Sequence, residues 1–406
     1  MWLTNPALLF CAIWSFVLAL FSLHLSDLLD PLYPRTVWLV AGGSAAMLCG
    51  WLVESLGQRR IVFSSRPRAD LVYHDLCHSR VSRRLRTLWT MFTVGILLEV
   101  TYFGGAPILS VLGIGTEVEY YEYGIPGYHG LLNSLFYTGA AINFGRFVLS
   151  PRGQSNAWSA FLPLLYPIAM VSRQGAVSLF VEYFFLYLLL CRPSVALFVR
   201  SSIAFVFVFL LFGYMGDIRS GRDAILGLAL PTFDYPDWLP SAFIWFYIYV
   251  CSPINNVNFN IGVTPNAIPI ETLGSFIPTF ARELLFGALG VVKSWQLANE
   301  SFNVGSFFQS IISDFGVEGT IVFLFLCSLV FTRVMRRSRT SAAALFALVV
   351  ILHGIALSFF ANLMFHLVFM FHIVFAMFVL RRPARATKRS HGLPLIPVAI
   401  LPGFGR

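Results

Sequence analysis

The chain has 406 residues, 57% of them hydrophobic and only 12% charged, with a mean hydropathy of +0.76; a composition this apolar excludes an ordinary soluble domain and points to an integral membrane protein. The formal charge of +9 would suit nucleic acid, but the arginines lie in loops between apolar segments, where the positive-inside rule places them. Nucleic acid is therefore excluded as a partner, and a membrane with anionic lipid is the natural one.

Segments of roughly 18 to 20 apolar residues cross about 30 Å of hydrocarbon. The first, at about 8–24, lacks the basic start of a cleavable signal and reads as a retained span. A second, at about 36–53, is joined to it by "HLSDLLDPLYPR" and followed by a basic loop, 54–86, carrying Arg59, Arg60, Arg66, Arg68, Arg80, Arg83, Arg84 and Arg86. That loop is taken as cytoplasmic. A third span, 87–103, leads to an external loop whose charges, Glu117, Glu119 and Glu122, are all acidic, and a fourth, near 130–149, returns to Arg152. Spans at about 157–171 and 175–191 form a hairpin whose external turn is "SRQG", which puts Arg173 at the outer face of the membrane. A span at about 199–215 opens the large external region 217–317, where "WLPSAFIWFYIYV" and "IPTFARELLFGALG" read as short interfacial helices. Spans at about 318–335, 341–358 and 363–380 return the tail, 381–406, to the cytoplasm. The expected fold is an all-α polytopic membrane protein, one integral domain over 1–406, with ten to twelve spans.

Cys11, Cys49, Cys191 and Cys327 lie in or beside spans and Cys77 in the basic loop, which leaves Cys251 alone on the external side; no disulfide framework is expected. No fixed-period repeat and no inverted duplication is evident. His74 and His78 have the i, i+4 spacing of a helical metal pair but fall in the basic loop, and His366 and His372 fall on different faces of one span. Glu99 and Glu182 are costly in or near spans and could bound one polar cavity or pair with arginine. No nucleotide-binding glycine loop, Ser-His-Asp context or Asp-x-Asp metal site is found, so no metal or cofactor is expected.

External polar residues concentrate before span four, at Arg173, and after span seven. Arginine suits phosphate, because its planar fork stays charged and pairs bidentately with oxyanions. Arg173, Arg219, Arg222 and Arg282 gathered beside the bilayer suggest a ligand with a lipid tail and a phosphate head. In "SDFGVEG", Asp314 suits a helix cap while Gly316 and Gly319 suit close packing, a reading compatible with substrate contact.

The runs "GIPGYHGLLNSL", "SRQG", "GDIRSG", "YIYVCSPINNVNFN", "IPTFARE" and "SDFGVEG", in this order over roughly residues 100–335, resemble the Wzy-type oligosaccharide repeat-unit polymerases of O-antigen and capsule synthesis. The resemblance implies a GT-C-like glycosyltransferase of the bacterial inner membrane with a periplasmic active site. It implies lipid-linked oligosaccharides as donor and acceptor, the donor on undecaprenyl pyrophosphate, and a chain-length-regulating co-polymerase as a possible partner. On that reading Arg173, Arg219, Arg222 and Arg282 hold the leaving pyrophosphate. Glu271, Asp217, Asp314 and His129 compete for the base that takes the acceptor proton, and the sequence does not rank them. Tyr120, Tyr121, Tyr123, Tyr235, Trp238 and Trp245 could stack on sugars or serve as an interfacial belt. The rivals are an O-antigen ligase, which differs in its acceptor, and a transporter or flippase for lipid-linked sugars, which would need polar residues reaching both membrane faces.

Overall fold

The computed structural model describes residues 2–57, 67–114, 122–150, 157–191, 221–266, 268–286 and 295–381, together with residues 195, 199, 200, 202, 203, 206, 210, 214 and 217. Arg219, Tyr120, Tyr121 and nearly all of the tail lie outside the described residues. Every element described is helical, apart from isolated bridges that join Ser26 to Pro231 and Ser306 to Ala361.

The helices are α1 (Pro6–Phe21), α2 (Pro34–Leu56), α3 (Ala69–Cys77), α4 (Ser79–Phe103), α5 (Pro107–Val111), α6 (Tyr128–Leu149), α7 (Ala157–Phe161), α8 (Leu165–Ala169) and α9 (Arg173–Leu190). They continue with α10 (Arg222–Ala229), α11 (Ala242–Phe259), α12 (Ile270–Gly274), α13 (Thr279–Phe286), α14 (Phe308–Arg337), α15 (Ala342–Ala356) and α16 (Leu367–Leu380). Local sequence explains several starts. Asn5 caps α1 through hydrogen bonds from the Ala7 and Leu8 amides, with Pro6 at the first helical position. Ser172 caps α9 by accepting from Gly175 N at 3.1 Å, and Ser341 does the same for α15.

Among the described residues α2, α9 and α14 are long and apolar enough to cross a membrane, and α1, 157–169, α15 and α16 are shorter apolar helices. The segment 157–169 is not one helix but two short ones around a 3-10 turn at Leu162–Leu164, because Pro163 and Pro167 each remove a backbone donor. Exposed apolar side chains recur at helical spacing, Met91, Val94, Leu98 and Tyr102 along α4 and Val322, Leu326 and Val330 along α14. Such outward apolar stripes on helices whose other faces are packed fit a helical protein seated in lipid.

Helix α2 packs along α14. A Cβ on Gly50 would stand 2.7 Å from the Phe325 carbonyl oxygen, so only glycine admits the approach that lets Ser328 Oγ donate to the Met47 carbonyl. At one end of this pair Glu54 accepts from Arg333 at 2.9 Å and Arg336 at 2.8 Å. The same end holds Arg146, donating to Leu76 O, and Arg84, donating to Phe378 O at the end of α16. This basic end is opposed by a distal end, where α4 finishes and α6, α9, α14 and α16 begin.

The expected basic loop 54–86 is largely helical: α3 and the first turns of α4 occupy it, because Val72, Leu76, Val81 and Leu85 bury their side chains. The expected span at 318–335 starts earlier, at Phe308, and bends at Gly316, whose φ of 66° and ψ of −174° are non-helical. The interfacial helix expected in "WLPSAFIWFYIYV" runs on to Phe259 as α11, and Cys251, expected on the external side, is buried there.

Candidate functional site

At the distal end the turn "GIPG" folds the chain back from α4 into α6. Gly124 has φ of 112°, and a Cβ there would stand 2.8 Å from His129 Cγ, so glycine is required for the imidazole to sit where it does. Glu99, in the last turns of α4, accepts from the Ile125 amide with Oε1 at 2.9 Å and meets His129 Nδ1 with Oε2 at 2.7 Å. The carboxylate is 0% exposed and the imidazole 26% exposed. A carboxylate on Nδ1 fixes the tautomer with the proton on that nitrogen and leaves the Nε2 lone pair directed away from it. Tyr123 meets the His129 ring edge-on at 5.8 Å. Burial, reinforced by the Glu99 charge, pushes its hydroxyl up to about 12, so it is a neutral donor at physiological pH.

Asp314 lies on the short first part of α14, before the bend at Gly316. Its Oδ1 accepts from Asn266 Nδ2 at 3.0 Å and from Glu271 N at 3.1 Å, while Oδ2 accepts from Thr272 N at 2.5 Å. It is a cap, but for α12 rather than for its own helix. The bend is matched to this loop: Asn266 N donates to Ser313 O, and a Cβ on Gly316 would stand 3.0 Å from Pro265 Cγ. Glu271 is thereby fixed on the distal rim, and the stem of Arg282 packs over Gly274. The end of α12 in turn docks on the loop before α16, through a hydrogen bond from Ser275 Oγ to Phe365 O and a ring contact between Phe276 and Phe365. Leu367, two residues on, packs over Gly130 beside His129. Glu271, Arg282 and His129 therefore flank the start of α16 from two sides.

Arg173 is the first residue of α9 and half-buried. Tyr137, more than two turns into α6, donates to Gly175 O at 3.3 Å, so α9 begins deeper in the bundle than α6. A cation at a helix N-terminus is opposed by the helix dipole. An anion bound there would be held by both guanidinium and dipole.

The remaining candidates are placed elsewhere on the distal end. Asp217 accepts from Ser241 Oγ. Arg222 donates to Pro236 O at 2.7 Å and Asp237 O at 2.8 Å with Tyr235 beneath it at 5.6 Å. That group is tied to the loop between α1 and α2 rather than to His129, through the bridge between Ser26 and Pro231 and the bond from Asp27 N to Leu230 O. Of the aromatics, Trp238 is 81% exposed, Tyr123 is buried, and Trp245 packs against Tyr249 and Phe302.

Three features escaped sequence reasoning. The asparagines of "NNVNFN" are loop anchors: Asn255 bonds Asp30 N and Leu28 O, Asn256 bonds Phe302 O, Val304 O and Ala298 N, and Asn258 bonds Tyr33 N and Pro31 O. His78 leaves the helical path and caps α4 through its Nδ1, so it and His74 are not helical i, i+4 partners. Neither of the two buried carboxylates Glu99 and Glu182 pairs with an arginine among the described residues: Glu99 meets His129, and Glu182 lies against His353 and His372. The signal available for the last of these was the rarity of ionisable residues in apolar segments.

No family model, curated protein or solved structure matches the chain.

Proposed function

We propose that the chain is a membrane-embedded glycosyltransferase of the repeat-unit polymerase type, transferring a growing glycan from undecaprenyl pyrophosphate to a second lipid-linked repeat unit. On this reading it has ten to twelve spans in a GT-C-like arrangement. Its basic end faces the cytoplasm and its distal end the periplasm of a bacterial inner membrane, where a chain-length-regulating co-polymerase would meet it. The observation that carries the proposal is the His129–Glu99 pair, in which a wholly buried carboxylate holds a partly exposed imidazole at 2.7 Å on the distal rim.

The chemistry assigns each group a task. The acceptor hydroxyl attacks the anomeric carbon, the bond from that carbon to the pyrophosphate oxygen breaks, and the hydroxyl proton passes to His129 Nε2. Glu99 stabilises the imidazolium that results. Negative charge gathers on the departing pyrophosphate, where Arg173, the N-terminus of α9 and Arg282 supply fixed positive charge. Glu271, whose backbone amide Asp314 holds, is a rim carboxylate suited to sugar hydroxyls. The test is incubation of purified protein with a lipid-linked repeat unit, with and without lipid A core. A ladder of lengthened products without core is expected. No ladder with competent substrate ends the polymerase reading, and transfer only in the presence of core replaces it with a ligase.

A further inference from the structure

Glu182 lies midway along α9, and its carboxylate faces His372 on α16 and His353 on α15. Its Oε1 stands 3.4 Å from His372 Nδ1 and 3.9 Å from His353 Nδ1, and all three side chains are 0% exposed. Among the described residues, neither carboxylate oxygen and none of the four ring nitrogens has a hydrogen-bond partner. The environment offers little compensation. Phe369 packs on the His353 ring at 4.5 Å, and Tyr137 of α6 stacks on His372 at 6.3 Å. The Tyr137 and Tyr183 hydroxyls donate to backbone carbonyls.

Charged groups on the surrounding elements are bonded elsewhere or stand at the helix ends. Arg146 of α6 bonds Leu76 O and Ser82 Oγ. Arg173 and His366 stand at the starts of α9 and α16. On α14, Asp314 holds the α12 loop, Glu318 meets Arg35, and Arg333 and Arg336 meet Glu54. On α3, Asp75 and His74 lie at the basic end, and α1 adds only Cys11. Among the described residues no arginine lies within ion-pair reach of Glu182.

Charge counting then decides the protonation. With Glu182 ionised and both imidazoles neutral, an uncompensated negative charge sits in a dry helix core, which is strongly unfavourable. With two added protons the cluster is positive and equally stranded. One added proton makes it neutral, whether as a carboxylic acid or as a carboxylate beside an imidazolium.

We infer that Glu182, His353 and His372 form an intramembrane proton-binding site that holds one proton through neutral pH and joins α9 to α15 and α16. The site is independent of the glycosyl-transfer chemistry.

In the unfolded chain a glutamate titrates near 4.3 and a histidine near 6.5, so at pH 7.5 the three groups retain almost no proton. The folded site binds more protons than the unfolded chain, and its contribution to stability therefore declines as pH rises through this range. The test is unfolding of the purified full-length chain by SDS at pH 7.5 in weak buffer with a pH-indicator dye. Wild type should release about one proton per chain more than Glu182→Gln, in which both histidines are neutral when folded. If Glu182→Gln does not fold, the subtraction is made with Glu182→Leu, which removes the charge and the donor together. Equal release from wild type and variant, or greater release from the variant, overturns the site.

Discussion

Among the described residues the protein builds two carboxylate–imidazole groups and treats them in opposite ways. At the distal rim, Glu99 has a partner for each oxygen, the Ile125 amide and His129 Nδ1, and the imidazole it orients is 26% exposed. In the helix core, Glu182 touches two imidazoles at 3.4 Å and 3.9 Å without one well-formed hydrogen bond, and nothing in the cluster is exposed. The same functional groups therefore acquire different chemistry from backbone and solvent access alone. A carboxylate fixed by an amide can orient a base that reacts with something outside. One without such a bond, in a fully buried cluster, has its charge offset by the proton we infer that the cluster holds. Asp314 marks the limit of the first behaviour, with acceptors so fully used by the α12 loop that its role is architectural.

The largest effect should fall on the rim. His129→Ala removes the proposed base and is expected to lower glycan lengthening by roughly 100-fold or more with little change in melting temperature. Glu99→Gln, which leaves the imidazole without its orienting anion, should cost about 10- to 100-fold; rates equal to wild type in both would make the rim pair structural. Arg173→Ala should shorten the products without loss of membrane insertion, as read from product length on gels. Asp314→Ala should act on stability instead, by about 3 kcal/mol, because it strands two amides and an asparagine donor. A thermal melt in detergent reads this, and an unchanged melt would contradict the cap. Smaller again is Gly316→Ala, about 1–2 kcal/mol, from its left-handed φ and the close approach of Pro265.

Much of the scaffold was legible in the sequence because its signals are local. Apolar segment length located most of the helices, and Asn5-Pro6, Ser172 and Ser341 announce starts in their own first turns. What stayed hidden was set by contacts distant in the chain. Asp314 was readable as a cap, but the helix it caps begins at Ile270. The asparagines of "NNVNFN" have no legible role in the sequence, because the loops at 28–33 and 298–304 that close on them are distant in the chain. Glu182 stood out as costly, yet its histidines come from two helices far along the chain, and His353 drew no notice at all. His129 was one of four equal candidates, and only the folded turn at Gly124 brings Glu99 against it.

The most direct measurement is lengthening of a lipid-linked repeat unit at pH 7 by wild type, His129→Ala and Glu182→Gln, each purified and shown to be folded. The account predicts a ladder from wild type, none from His129→Ala, and a wild-type ladder from Glu182→Gln. A full-length ladder from His129→Ala would contradict it.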